Sequence, residues 1–201
     1  EELDYYLSRR VINLYHYKYG NLSDQVSTLT VELKNGKTFH MPEVPRSAMG
    51  PDFNRLVIGG KENFGKIKDV TLKLVAVPER VVHGLIFTDS REMARRFFAK
   101  IMGQFILFLY ARHFSGKACQ ELLSGLKMTN DCDSVFLFCL SGLSEMVVAD
   151  QTVINELCQK QKLSCHWIDS RSGRDWINGQ IHHVESYRDI KEQYRQFLWP
   201  S

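Results

Sequence analysis

The stretch that most constrains the fold is residues 81–114, VVHGLIFTDSREMARRFFAKIMGQFILFLYARHF. It opens on an apolar run of strand length. Asp89 or Ser90 follows, and either can cap a helix by accepting a bond from its unpaired N–H groups. Apolar residues then recur every fourth position, at Met93, Phe97, Ile101, Phe105 and Leu109, with Ala94, Phe98 and Met102 widening the stripe. Arg91, Arg95, Arg96 and Lys100 occupy the opposite side of its first half. From Phe105 onward the segment is apolar all round, which in a helix means burial on every side. The pattern predicts a strand over 81–87 and one long buried helix over 90–114, ended by Ser115-Gly116, as the spine of the molecule.

The residues before this spine read as strands. Tyr15, Tyr17 and Tyr19 alternate with His16 and Lys18, the signature of a half-buried strand. Residues 26–39 form the clearest local signal: alternating strand residues, then Asn35-Gly36, which suit the two positive-φ positions of a type I′ turn, then a returning strand. Residues 42–52 hold three prolines and a glycine and read as a loop. Short strands are expected over 56–58 and 68–77. About six mostly antiparallel strands therefore precede the helix. This order is similar to that of the pleckstrin-homology superfold, a bent barrel or sandwich closed by a C-terminal helix. The likeness is one of element order over about half of the chain.

After Gly116 the pattern changes. A short helix is expected over 118–127, and the unbroken apolar run SVFLFCL (134–140) reads as a strand covered on both faces. A helix over 146–160 and a strand over 163–168 complete a βαβ-like unit, expected to be parallel. Residues 184–198 close the chain as an amphipathic helix. The fold class is α+β, with a β-rich part over 1–115 and an α/β part over 116–201, both packed on the same helix as one unit.

Composition sets broad limits. With 201 residues, 44% hydrophobic, the chain can bury roughly 70% of its unfolded surface and needs no disulfide or metal staple. A net charge of +3 does not demand a polyanionic partner. The five cysteines all fall between Cys119 and Cys165, and their odd number in an apolar region predicts reduced, buried thiols of an intracellular protein. Glu1-Glu2-Leu3-Asp4 is not the beginning of a signal peptide. The longest apolar run, 105–110, falls far short of the ~20 residues of a membrane span.

Each candidate for chemistry has a plain structural reading beside it. Residues 60–66, GKENFGK, match GxxxxGK, but Ile67 stands where a magnesium-binding hydroxyl belongs and the continuation is strand-like, so a glycine-rich turn with solvated lysines is expected. Cys132, Cys139, Cys158 and Cys165 lack the close ligand spacing of a zinc site. No catalytic thiol, carboxylate pair or metal site is expected. The loop 141–144 and residues 169–174 follow the ends of strands, where ligands bind in parallel α/β units. Two basic surfaces remain. Arg91 and Arg95 belong to one. Arg171, Arg174, Arg188, Lys191 and Arg195, interleaved with Trp176, Tyr187 and Tyr194, form the other. Arg, Trp and Tyr are the usual anchors of protein interfaces, and the same set can clamp phosphates and stack bases. The sequence therefore predicts a non-enzymatic intracellular protein-interaction domain of a larger assembly. Its contacts are placed at 171–195, at Arg91 and Arg95, and at the loop 42–51, without a small-molecule cofactor. A nucleic-acid-binding domain is the second reading, and an enzyme with a pocket at 141–144 and 169–174 the third.

Overall fold

The computed structural model describes residues 7–8, 15–41, 52–128, 132, 134–168, 175 and 177. The chain divides into two units, Glu1–Ala76 and Val77–Ser201. The position 115/116 lies inside the second of these, between a strand and a helix of the same unit.

The N-terminal unit is built around a three-stranded sheet. Two short helical turns, α1 (His16–Tyr19) and α2 (Leu22–Gln25), lead into β1 (Val26–Glu32) and β2 (Thr38–His40); α3 (Phe53–Val57) and β3 (Lys66–Leu72) follow. The order is β2-β1-β3, antiparallel throughout. Leu29, Val31 and Ile67 point from the sheet into a core completed by Leu7, Met41, Val57 and Ile58. Gly65, at φ 139, lies so close to the carbonyl oxygen of Glu32 that no side chain fits there.

Three local expectations are corrected here. The hairpin forms, but its turn is not type I′: only Gly36 has positive φ, the Gly36 N–H donates to the Leu33 carbonyl at 2.9 Å, and the Leu33 N–H to Lys37 at 2.8 Å. This is a three-residue loop with a glycine bulge, which needs one left-handed residue instead of two. Residues 16–19 are helical, with the Lys18 and Tyr19 amides both donating to the Tyr15 carbonyl. Residues 56–58 end a helix whose first turn is capped by Asp52, its carboxylate accepting from the Arg55 N–H at 3.3 Å.

The C-terminal unit alternates β4 (Arg80–Thr88), α4 (Arg91–Met102), β5 (Phe108–Ser115), α5 (Lys117–Gly125), β6 (Ser134–Gly142), α6 (Ser144–Gln161) and β7 (Cys165–Ile168). Its sheet has the order β5-β6-β4-β7, and every neighbouring pair is antiparallel. β4 and β5 therefore run parallel with β6 between them, and β6 and β7 run parallel with β4 between them. Two split β-α-β units interlock, which is the ferredoxin-like arrangement, here with α5 inserted between β5 and β6.

The long helix over 90–114 is not observed. α4 stops at Met102, Gly103–Phe105 turn, and the remainder is strand β5. An apolar run without alternation fits a buried helix or a strand covered on both faces, and periodicity alone cannot separate them. The aromatic residues at 108, 110 and 114 favour the strand. The expected β-α-β over 134–168 is present with its strands parallel, but β4 separates them. The strands expected before the helix fall into two sheets, not one pleckstrin-homology-like barrel. The expected terminal helix over 184–198 lies outside the described residues.

One face of this sheet carries the helices. Phe98 of α4 packs on Phe136 and Phe108, with ring centroids 5.0 and 6.3 Å away. Trp167 of β7 meets Phe138 edge-on and donates its indole N–H to Asn155 of α6 at 2.9 Å. Gly84 sits opposite Phe138, and a Cβ at Gly84 would clash with that ring, 2.2 Å from its Cζ.

Candidate functional site

Residues directly opposite one another in neighbouring strands point to the same face of a sheet. In the C-terminal unit Tyr110 lies opposite Cys139, Cys139 opposite His83, and His83 opposite Ile168. One rung thus runs through all four strands. It faces away from Phe136 and Phe138, which sit on the helix-bearing side. On this rung the His83 and Tyr110 rings converge to a centroid separation of 5.8 Å over the intervening Cys139. All three are sealed, with relative exposures of 1% for His83, 1% for Tyr110 and 0% for Cys139. Arg112, half-buried, shares the face one step further along β5, and the buried Ser141 one step further along β6.

The site exists because a tertiary ladder joins residues far apart in sequence. A register shift between Phe108 and Tyr110 sets which residues of β5 face this side. An imidazole, a phenol and a thiol are each able to donate and accept protons, here shielded from water, and the Cys139 thiol donates to the Leu140 carbonyl at 3.7 Å. Sequence reasoning missed it, although a signal was present: His83 interrupts the apolar run 81–87, and a titratable group at the centre of a doubly covered strand is costly unless it is used or partnered.

The expected site residues fall elsewhere. Arg91 and Arg95 lie exposed on α4. Arg91 is electrostatically coupled to His113 of β5, whose pKa burial first, and the Arg91 charge second, lower to about 4, so that this imidazole stays neutral. Arg171, Arg174, Trp176, Tyr187, Arg188, Lys191 and Arg195 lie outside the described residues, as do loop 42–51 and residues 169–174. At the other expected pocket, the Ser144 N–H at the start of α6 donates to Glu79 Oε2 at 3.1 Å. That pairing makes 141–144 a capped strand-to-helix connection. Among the described residues no group of His, Cys, Asp and Glu is arranged to hold a metal ion, and no helix is long and apolar enough to cross a membrane. Residues 60–66 form a turn that runs into β3, with Lys61 and Lys66 exposed.

No family model matches the chain. In sequence it is similar to the alkyldihydroxyacetonephosphate synthase of Caenorhabditis elegans, 28% identical over 96 residues that cover 48% of this chain and 16% of the relative. It is similar to the mitochondrial D-lactate dehydrogenase (cytochrome) of Arabidopsis thaliana, 38% identical over 66 residues, 32% of this chain and 12% of the relative. An uncharacterized FAD-linked oxidoreductase, YgcU of Escherichia coli O157:H7, is 25% identical over 182 residues, covering 86% of this chain and 35% of the relative. A solved alkyldihydroxyacetonephosphate synthase shares the fold, with a TM-score of 0.70 at 16% identity over 85% of this chain and 34% of that one. The chain spans at most about a third of the length of these proteins. They are enzymes, and one is FAD-linked by name, which overturns the expectation of a non-enzymatic interaction or nucleic-acid-binding domain without a small-molecule cofactor.

Proposed function

We propose that this chain is a section of an FAD-linked oxidoreductase whose remaining length completes the catalytic site. One observation carries the reading: the likeness to the FAD-linked oxidoreductase runs over 182 residues and 86% of the chain, so it reaches into both units and is not confined to one motif.

The described residues fit part of such a cofactor. In the turn of the N-terminal unit, Lys61 and Glu62 adopt φ values of 48 and 63, and Gly59 and Gly65 of 84 and 139. The amides of Gly59, Gly60, Lys61, Asn63 and Gly65 are engaged within the unit. Those of Glu62 and Phe64 make no hydrogen bond among the described residues, and Lys61 and Lys66 extend into solvent. Unengaged amides and lysines at a tight turn suit an anionic diphosphate. Glu62, Phe64, Lys61 and Lys66 are the residues this chain would offer to the diphosphate of FAD. When bound, the flavin supplies the two-electron acceptor. In the C-terminal unit, the buried His83–Tyr110–Cys139 rung would hold protons out of contact with water.

The test is made on the full-length protein. Purified and heat-released, it should yield FAD at about one per chain. Its bound flavin should bleach anaerobically with a member of a panel of D-2-hydroxy acids and acylated dihydroxyacetone phosphates. A folded protein that carries no FAD and takes up none on incubation overturns the reading.

A further inference from the structure

All five cysteines are thiols, and two of them already touch across an element boundary: the sulfur atoms of Cys119 and Cys132 lie 3.9 Å apart. Cys119 sits in the first turn of α5, and Cys132 in the segment that enters β6. The Cys119 Sγ also points at the Cys132 carbonyl oxygen, 3.8 Å away, so the two residues are held together by more than one approach. Their exposures are unequal. Cys119 is fully buried at 0%, whereas Cys132 is part-exposed. This asymmetry separates the two roles that a reversible dithiol needs: one thiol that an oxidant can reach, and one behind it that resolves the oxidised sulfur before further oxidation.

We propose that Cys119 and Cys132 form a reversible disulfide under peroxide, with Cys132 as the reactive thiol and Cys119 as the resolving one. The Cys132 thiolate attacks one oxygen of hydrogen peroxide. The O–O bond breaks, hydroxide leaves, and a sulfenic acid forms on Cys132. The Cys119 sulfur then attacks the Cys132 sulfur, the S–O bond breaks, and the hydroxyl leaves as water with the Cys119 proton. Two thiols lose two electrons and two protons, and one peroxide becomes two waters. From van der Waals contact the sulfurs must close by about 1.9 Å to reach bonding distance. Rotation about the side-chain bonds of the half-exposed Cys132 can supply most of that. The link closes the loop from α5 to β6 and staples the entry of the sheet's inner strand β6, which carries Cys139 of the polar rung. This inference does not depend on the cofactor assignment.

The experiment treats the full-length protein with hydrogen peroxide, blocks remaining thiols with N-ethylmaleimide, and maps peptides by mass spectrometry. A peptide pair joined through Cys119 and Cys132, about 2 Da below the sum of its thiol forms and reversed by dithiothreitol, is expected. In Cys119→Ala the sulfenic acid on Cys132 should persist and react with dimedone several-fold more than in the wild type. Cys132→Ser should leave Cys119 unmodified, and a thermal melt matching the wild type verifies its fold. Recovery of Cys132 as its maleimide adduct after peroxide, or cross-linking confined to Cys158 and Cys165, overturns the proposal.

Discussion

Glu79, just ahead of β4, accepts a 3.1 Å hydrogen bond from the backbone N–H of Ser144 at the first turn of α6. Leu143, at the N-cap position, has no side chain that can cap. The missing cap is therefore supplied from a distant segment, and a carboxylate at a helix N-terminus also meets the positive end of the helix dipole. Glu79→Ala should lower stability by about 1 kcal/mol in urea unfolding, and Glu79→Gln, which keeps an acceptor but not the charge, by less. Equal losses would show that the charge, and not the neutral hydrogen-bond acceptor, supplies the whole effect.

Gly84→Ala places a methyl group 2.2 Å from Cζ of the Phe138 ring. Neither strand can retreat, because both are interior to the sheet, so the ring must leave its rotamer. A loss of about 2–3 kcal/mol is expected by chemical denaturation. Adding Phe138→Leu to Gly84→Ala should cost less than the sum of the two single changes, the mark of direct coupling. Strict additivity would show that the ring is not what excludes the side chain.

His113 gives the unit a pH dependence of known sign. Its folded pKa is about 4 against an ordinary 6.5, lowered chiefly by burial and secondarily by Arg91. Between these values the unfolded chain binds a proton that the folded chain refuses, so stability is complete above pH 6.5 and falls as the pH drops towards 4. His113→Phe should flatten that part of the curve. In NMR titration the His113 midpoint should lie near 4 and rise in Arg91→Ala while staying below 6.5. A midpoint at the ordinary value would refute the assigned burial.

The charge reversals Lys61→Glu and Lys66→Glu together should weaken FAD binding to the apo-protein by roughly tenfold or more, read as flavin fluorescence, with a reduced salt dependence. Both side chains are exposed, but Lys66 lies directly opposite Glu32, so its reversal should also lower the melting temperature of the apo-protein slightly, whereas Lys61→Glu alone should leave it unchanged. Undiminished FAD affinity would remove this turn from the cofactor site.

What could be read from the sequence was what is decided locally. The Asn35-Gly36 hairpin, the strand over 134–140 and the helix over 146–160 all appear, because turn chemistry, a doubly buried run and helical spacing act over a few residues. The second half of 90–114 could not be read in this way. Its four-residue spacing continues past Gly103 by coincidence, and the contacts that make it strand β5 come from β6, beyond α5. The His83–Tyr110–Cys139 rung was hidden for the same reason. Each residue looks unremarkable in its own strand, and only the register of three strands, with the shift between Phe108 and Tyr110, assembles them. The sequence predicts a glycine-rich turn with solvated lysines at 60–66, and these residues fit a solvated loop as well as an anion site. The similarity to an FAD-linked oxidoreductase, not pattern, is what motivates proposing an anion site there.

The interlocked strand order has a consequence for how the C-terminal unit is made. β4 and β5 emerge first, leaving between them a slot that only β6 can fill, and β7 must then dock on the far edge of β4. Nascent chains that have not yet reached residue 134 hold only two non-adjacent strands of this unit, so its sheet cannot begin to pair until β6 is made.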